Sequence, residues 1–144
     1  METQTEAHSV ASILGLHERE FDNPLMLIKQ IEQGFPTSVV DRVKSAMMLA
    51  DHQINELFVK GTTLDRRRKS GRLNSVESQK FERAARVLAA AEDVFQDQHT
   101  AREFLKRPHM FLDGQKPFDV AVGTDIGASM VEDILGRLKY GSAA

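Results

Sequence analysis

The sequence predicts an all-α protein, on three observations. Apolar residues recur at spacings of three and four, and no stretch alternates convincingly as a strand would. Helix-start signals, a small polar residue or an Asn-Pro pair, stand before most of these runs. Glycine and proline punctuate the chain between the runs, with Gly136 as an exception. There is no internal repeat.

Taken in order, Val10, Ile13, Leu14 and His17 are spaced for a short helix within an N-terminal extension, residues 1–23. Asn23-Pro24 is a helix start, because proline's missing N–H costs nothing at the first helical position. Leu25, Leu27, Ile28 and Ile31 then mark one apolar face, Gly34 stops the helix, and Phe35-Pro36 makes the turn. Thr37 or Ser38 caps a second helix that buries Val39, Val40, Val43, Ala46 and Met47. After a break near Leu49 comes a third, with Ile54 and Leu57 inward. The next break, at residues 59–61, is short, and Thr62 is positioned to cap the helix that follows. Gly71 ends that helix. Asn74 and Glu77 then have the spacing of a capping box. They open the most periodic helix in the chain, with Phe81, Ala84, Ala85, Leu88, Ala91 and Phe95 in one stripe and Val87 and Val94 widening it. That stripe belongs to the core or to a dimer contact. Asp97 or Thr100 starts a short helix that ends before Pro108. Residues 109–116 form a loop with an Asp113-Gly114 turn, and Pro117 opens another short helix. Thr124 caps the last, which carries Ile126, Met130, Val131, Ile134, Leu135 and Leu138.

The helix after residue 60 carries the chain's one strong charge signal. Residues 60–72, KGTTLDRRRKSGR, hold six basic side chains against one acid. The rest of the chain holds 13 basic and 20 acidic residues. A slightly acidic protein has concentrated its positive charge in one helix-sized segment, and the anion that best matches such a segment is a nucleic-acid backbone. As the second member of a helix–turn–helix, the segment buries Leu64 and offers Thr62, Thr63, Arg66, Arg67, Arg68, Lys69 and Arg72 to DNA. The plainer alternative is a solvated helix end whose cations suit the helix dipole.

With 144 residues the chain is one domain or two small ones. Eight phenylalanines, one tyrosine and no tryptophan make base stacking a poor basis for binding. The absence of cysteine excludes disulfides, thiolate metal sites and Cys nucleophiles. The N-terminal residues lack the basic start and long apolar core of a signal peptide. No run approaches a membrane span, so the expectation is a soluble, cytoplasmic protein. His8, His17, His52, His99 and His109 make no metal-binding spacing, and no phosphate-binding or nucleophile motif is present. The acidic pairs Glu92-Asp93 and Glu132-Asp133 are adjacent on helices and point apart. The expectation is no enzyme, no cofactor and no metal.

Several stretches in order resemble the Xre/MbcA/ParS-type antitoxins of type II (RES–Xre) toxin–antitoxin systems. In the C-terminal half these are GRLNSVES at 71–78, ARVLAAAEDVF at 85–95, LDGQKPFDV at 112–120 and VEDILGRLKYG at 131–141. Upstream, GFPTSVVDRV at 34–43 and TTLDRRRKSGRL at 62–73 are similar to the family's Xre-type helix–turn–helix. One departure concerns the turn: Leu57-Phe58-Val59-Lys60 stands where the family usually has a Leu-Gly-Ile-Ser run.

The resemblance implies an N-terminal helix–turn–helix bundle, residues 24–72, and a small helical toxin-binding domain, residues 73–144. It implies an antitoxin that neutralises a cognate RES-type, NAD-depleting toxin by obstructing its active site. It also implies repression of its own operon by binding operator DNA as a homodimer within a larger complex. The toxin-contacting residues expected on this basis are Val131, Ile134, Leu135, Gly136, Arg137, Leu138, Tyr140 and Gly141. Gly136 admits either a partner backbone or a close contact inside the domain. Arg137 either caps carbonyls or reaches a toxin carboxylate, and Tyr140 is an interface anchor or an ordinary domain-edge tyrosine. Residues 141–144 either enter a cleft or fray. The alternative function is a stand-alone repressor with a C-terminal dimerisation domain.

Overall fold

The structure, a computed structural model, describes residues 10–141. The rest of the expected extension (residues 1–9) and of the expected tail (residues 142–144) lies outside the described residues. A helical stretch over residues 10–14 and a 3-10 turn at Glu18–Phe21 lead into α1 (Pro24–Gln33), α2 (Ser38–Met47), α3 (Asp51–Leu57) and α4 (Gly61–Ser70). Then follow α5 (Ser75–Phe95), α6 (Gln98–Lys106), a 3-10 turn at Met110–Leu112, α7 (Pro117–Gly123) and α8 (Asp125–Tyr140). The described residues contain no strand, only isolated antiparallel bridges between Pro36 and Arg72 and between His109 and Gln115.

Among the described residues, side-chain caps explain four of the eight α-helix starts from α1 to α8. Asn23 Oδ1 accepts the Leu25 N–H at 2.9 Å, with Pro24 at the first position of α1. Asn74 and Glu77 complete a reciprocal box on α5: Asn74 Oδ1 accepts the Glu77 N–H at 2.8 Å, and Glu77 Oε1 accepts the Asn74 N–H at 2.9 Å. Asp97 caps α6 and Thr124 caps α8 through the Thr100 and Gly127 N–H groups. Each such cap satisfies a donor that the helix itself cannot.

Three expectations are corrected. Leu25 and Ile28 are not part of a buried face: they are 67% and 49% exposed, and α1 rests on Leu27 and Ile31 alone. Thr37 precedes α2 but its hydroxyl caps nothing, because its backbone is already helical; its N–H instead goes to Gly71 O. Thr62 does not cap α4, which begins one residue earlier, at Gly61, with Lys60 in the capping position.

α5 is the spine. Its 21 residues bury Phe81, Ala84, Ala85, Val87, Leu88, Ala89 and Ala91, and it packs against α1 and α2 as well as α6, α7 and α8. The alanines let neighbouring helices come close, and burying a side chain the size of Phe81 or Leu88 contributes about 1.5–3 kcal/mol. Gly34 closes the other end of the chain's path. Its φ is +93°, and an added Cβ would overlap the Leu73 carbonyl, so only glycine fits. No helix among the described residues is long and apolar enough to cross a membrane.

Candidate functional site

α4 owes its position to the non-glycine turn before it. Phe58 and Val59 are 3% and 4% exposed. The Phe58 ring stacks on Phe81 of α5 at 4.2 Å and tilts against Phe118 of α7 at 6.1 Å. The Phe58 carbonyl, left over at the end of α3, accepts from Lys80 Nζ of α5 at 3.2 Å. A buried aromatic thus holds the turn where glycine was expected. Leu64 seats α4 from below at 9% exposure.

The far end of α4 is stitched to the α1–α2 turn. The Leu73 N–H donates to Phe35 O at 2.9 Å, and the Phe35 N–H donates to the fully buried Ser78 hydroxyl at 2.8 Å. Arg72 Nη1 donates to Gly34 O at 2.7 Å.

The seven expected DNA contacts divide on this frame. Thr62, Arg66 and Lys69 lie at i, i+4 and i+7, exposed along one line opposite Leu64. Thr63 is half-buried beside them. Arg67 is turned inward: its Nε and Nη2 donate to the two oxygens of Glu77 at 2.9 and 3.3 Å. Arg68 makes a two-pronged pair with Asp41, both bonds at 3.1 Å. Arg72 is occupied by Gly34. The structure therefore brings Thr62, Thr63, Arg66 and Lys69 to one outward surface and uses Arg67, Arg68 and Arg72 to fasten α4. Lys60, at the head of α4, is also exposed.

Glu77 is 8% exposed, and burial pushes its carboxyl upward. The Arg67 guanidinium and the Asn74 N–H outweigh that and hold it below the usual glutamate value.

The last helix also has two faces. Val131, Ile134 and Leu135 are 0%, 8% and 1% exposed and hold α8 in the core. Gly136, Arg137, Leu138, Tyr140 and Gly141 lie toward the surface. Nothing comes within 4 Å of a Cβ added at Gly136, so a close contact inside the domain is not its reason. The tightly packed glycine is Gly127, where an added Cβ would overlap the Val120 carbonyl of α7. Tyr140 is 65% exposed, with Lys139 Nζ 5.3 Å from its ring centre. Ile126 and Met130, which sequence reasoning did not place in the site, are 76% and 43% exposed on the same outer side. The signal was available: Ile126, Met130 and Arg137 fall at i, i+4 and i+11, on the side opposite Leu135.

One member of each acidic pair is held in an ion pair between α5 and α8. Lys139 Nζ bonds to Asp93, and Glu132 lies 3.7 Å from Arg86, which also bonds to Asp125 at 2.8 Å. Arg83 spends Nε and Nη2 on Val122 O at the end of α7, at 3.1 and 2.7 Å. These arginines join α5 to the α7–α8 junction. No group of His, Asp and Glu among the described residues could hold a metal ion.

Comparison with known proteins matches both halves. Residues 26–89 match the family model of the antitoxin Xre-like helix-turn-helix domain. Residues 90–141 match that of the antitoxin Xre/MbcA/ParS C-terminal toxin-binding domain, so the two matches meet inside α5. The chain is 31% identical over 119 residues to the antitoxin Xre of Yersinia enterocolitica serotype O:8 / biotype 1B (strain NCTC 13174 / 8081), covering 81% of this chain and 80% of that one.

Proposed function

This chain belongs to the Xre/MbcA/ParS antitoxins, and from that premise we propose that it neutralises a RES-type, NAD-depleting toxin and represses its own operon. The observation that carries the first part is the outer side of α8. There Gly136 leaves open space, Arg137 and Tyr140 are exposed, and Ile126 and Met130 add apolar surface that the fold does not cover, while Leu138, half exposed, stands on the flank nearer Val131. A toxin docked on this side would have its active-site entrance obstructed by α8. Val131, Ile134 and Leu135 support it from inside.

The second part rests on Thr62, Thr63, Arg66 and Lys69, which are presented as a recognition helix presents its contacts in a major groove. A homodimer would offer two such helices to successive grooves. The DNA-contacting part ends at Arg72 and the toxin-contacting part lies beyond it.

The test is co-expression with the adjacent reading frame, scoring growth and intracellular NAD. Truncating at Val131 would strip Ile134 and Leu135 from the core, so surface variants are the better tool. Wild type is expected to restore growth and NAD, and Arg137→Glu with Tyr140→Ala to fail while remaining folded. A neighbour that is harmless when expressed alone would overturn the antitoxin mechanism in favour of a stand-alone repressor. Full rescue by the double variant would remove α8 from the contact.

A further inference from the structure

A second unpartnered surface lies along the outer side of α6 and the loop after it. A groove of about 470 Å³ is walled by Met48, Arg102, Lys106, Arg107 and Pro108. It runs into a smaller cavity of about 190 Å³ between Phe95, Phe104, Arg107 and His109; Glu103, Arg107 and Pro108 line both. Next to His109 in the chain stand Met110 and Phe111, 81% and 65% exposed, with the Phe111 ring 5.3 Å from that of His109. They do not hang freely. His109 Nδ1 accepts the Phe111 N–H at 3.1 Å, the His109 ring lies between those of Phe104 and Phe111, and the His109 N–H donates to Gln115 O at 3.1 Å. Two large apolar side chains are thus displayed on a tied loop, beside a cavity with aromatic walls.

The same surface is positive. Arg102 and Lys106 bond to backbone carbonyls at the end of α2, those of Ala46 at 3.5 Å and Met48 at 3.1 Å, rather than to carboxylates. Burial, then the neighbouring Arg102 and Lys116 cations, hold the Lys106 ammonium below its usual value. Glu103, the one carboxylate on either wall, lies 3.5 Å from His99.

Basic walls, an apolar cavity and two exposed apolar side chains beside it suit an acidic polypeptide better than duplex DNA, whose stacked bases leave only backbone to place against Met110 and Phe111.

We propose that this groove is a second toxin-docking surface, receiving an acidic segment with one apolar side chain in the Phe95–Phe104–His109 cavity and carboxylates over Arg102 and Arg107. The proposal rests on the toxin-binding reading above and adds to it the chemistry of the segment bound.

The experiment titrates the full chain with the purified product of the adjacent reading frame, at low and at physiological salt. Arg107→Glu and the pair Met110→Ser, Phe111→Ser change exposed side chains, and far-UV circular dichroism checks their fold. Lys29→Glu, an equal charge change on α1, is the control. Arg107→Glu is expected to weaken binding about tenfold, mostly through slower association and more at low salt. The Ser pair is expected to speed dissociation by a similar factor, and Lys29→Glu to change neither rate. Wild-type affinity in both groove variants, with loss in Arg137→Glu, would overturn the proposal and leave the α8 surface standing. No binding by wild type would remove the reading beneath it as well. A changed sedimentation coefficient of the chain alone in the groove variants would make the groove a self-association face. Weakened duplex-DNA binding with unchanged toxin binding would make it a nucleic-acid face. Either result refutes toxin docking there.

Discussion

Alanine at Gly127 and alanine at Gly136 should move stability in opposite directions, although both glycines lie within α8. At Gly127 the added Cβ would overlap the Val120 carbonyl oxygen and stand 2.9 Å from the carbonyl carbon and 3.0 Å from Val120 Cγ1. The obstacle is the backbone of α7, so α7 and α8 must part. Ala121, Val122, Ala128 and Val131 fill the space between them, none more than 1% exposed. Overpacking such a site costs about 1–3 kcal/mol, against about 1 kcal/mol that alanine gains over glycine within a helix. With backbone as the obstacle the cost lies toward the upper end, and the net expectation for Gly127→Ala is a loss of up to about 2 kcal/mol. At Gly136 an added Cβ meets nothing, and only the propensity gain of up to about 1 kcal/mol remains. For a chain of this length each kcal/mol moves Tm by about 3–5 °C, so the two variants should straddle wild type by several degrees. Urea and thermal unfolding followed by far-UV circular dichroism measure both. A destabilised Gly136→Ala, or two shifts of the same sign, would refute the packing argument. The same Gly136→Ala protein separates fold from function: if a toxin backbone lies on this spot, it binds the toxin more weakly while being more stable.

Three further expectations follow from the fastening of α4. Arg66→Ala and Lys69→Ala should each weaken duplex-DNA binding and lower the log–log salt slope by about one, whereas Arg68→Ala, already committed to Asp41, should leave the slope unchanged; fluorescence anisotropy across a salt series reads this. Glu77→Gln should flatten the acid limb of stability: the folded carboxyl lies below the unfolded value near 4.5, so its contribution is complete above that value and is lost as pH falls through the folded one. The wild-type advantage over the variant in urea unfolding should therefore shrink below about pH 4.5, and an advantage constant down to pH 2 would remove the ion pair as its source. Phe58→Ala should cost about 3–5 kcal/mol by emptying a buried aromatic site, with hydrogen exchange fastest to respond at the turn and the first turn of α4.

What was legible in the sequence was what neighbours in the chain decide. Asn23, Asn74 with Glu77, Asp97 and Thr124 cap their helices through bonds spanning two or three residues, and the spacing alone announces them. The stripe of α5 was legible because its period is regular. What was not legible depends on where distant residues come to rest. Arg67, Arg68 and Arg72 read as free cations, yet their partners lie 10, 27 and 38 positions away. Leu25 and Ile28 read as core because an apolar pattern shows periodicity but not whether anything arrives to cover it. Gly127 and Gly136 differ only in what stands opposite, and that is set by α7. In α8 the candidate site ran through consecutive residues, whereas a helix divides them between core and surface.

The division of labour between the halves is also less clean than the chain order suggests, and α5 is the reason. Successive turns of this helix hold both sides: Glu77 takes Arg67, Lys80 and Phe81 take the turn at Phe58, Arg83 takes the end of α7, and Arg86 takes the start of α8. Phe118 of α7 also reaches the Phe58 ring, so the turn before α4 touches the toxin-binding half directly. A substitution at any of these positions disturbs both halves through one rigid element. It follows that loss of two activities in an α5 variant says nothing about whether they share a surface. Exposed side chains that fasten nothing, such as Arg66 and Lys69 on α4 and Arg137 on α8, are therefore the variants with which the proposed DNA binding and the proposed toxin binding should be separated.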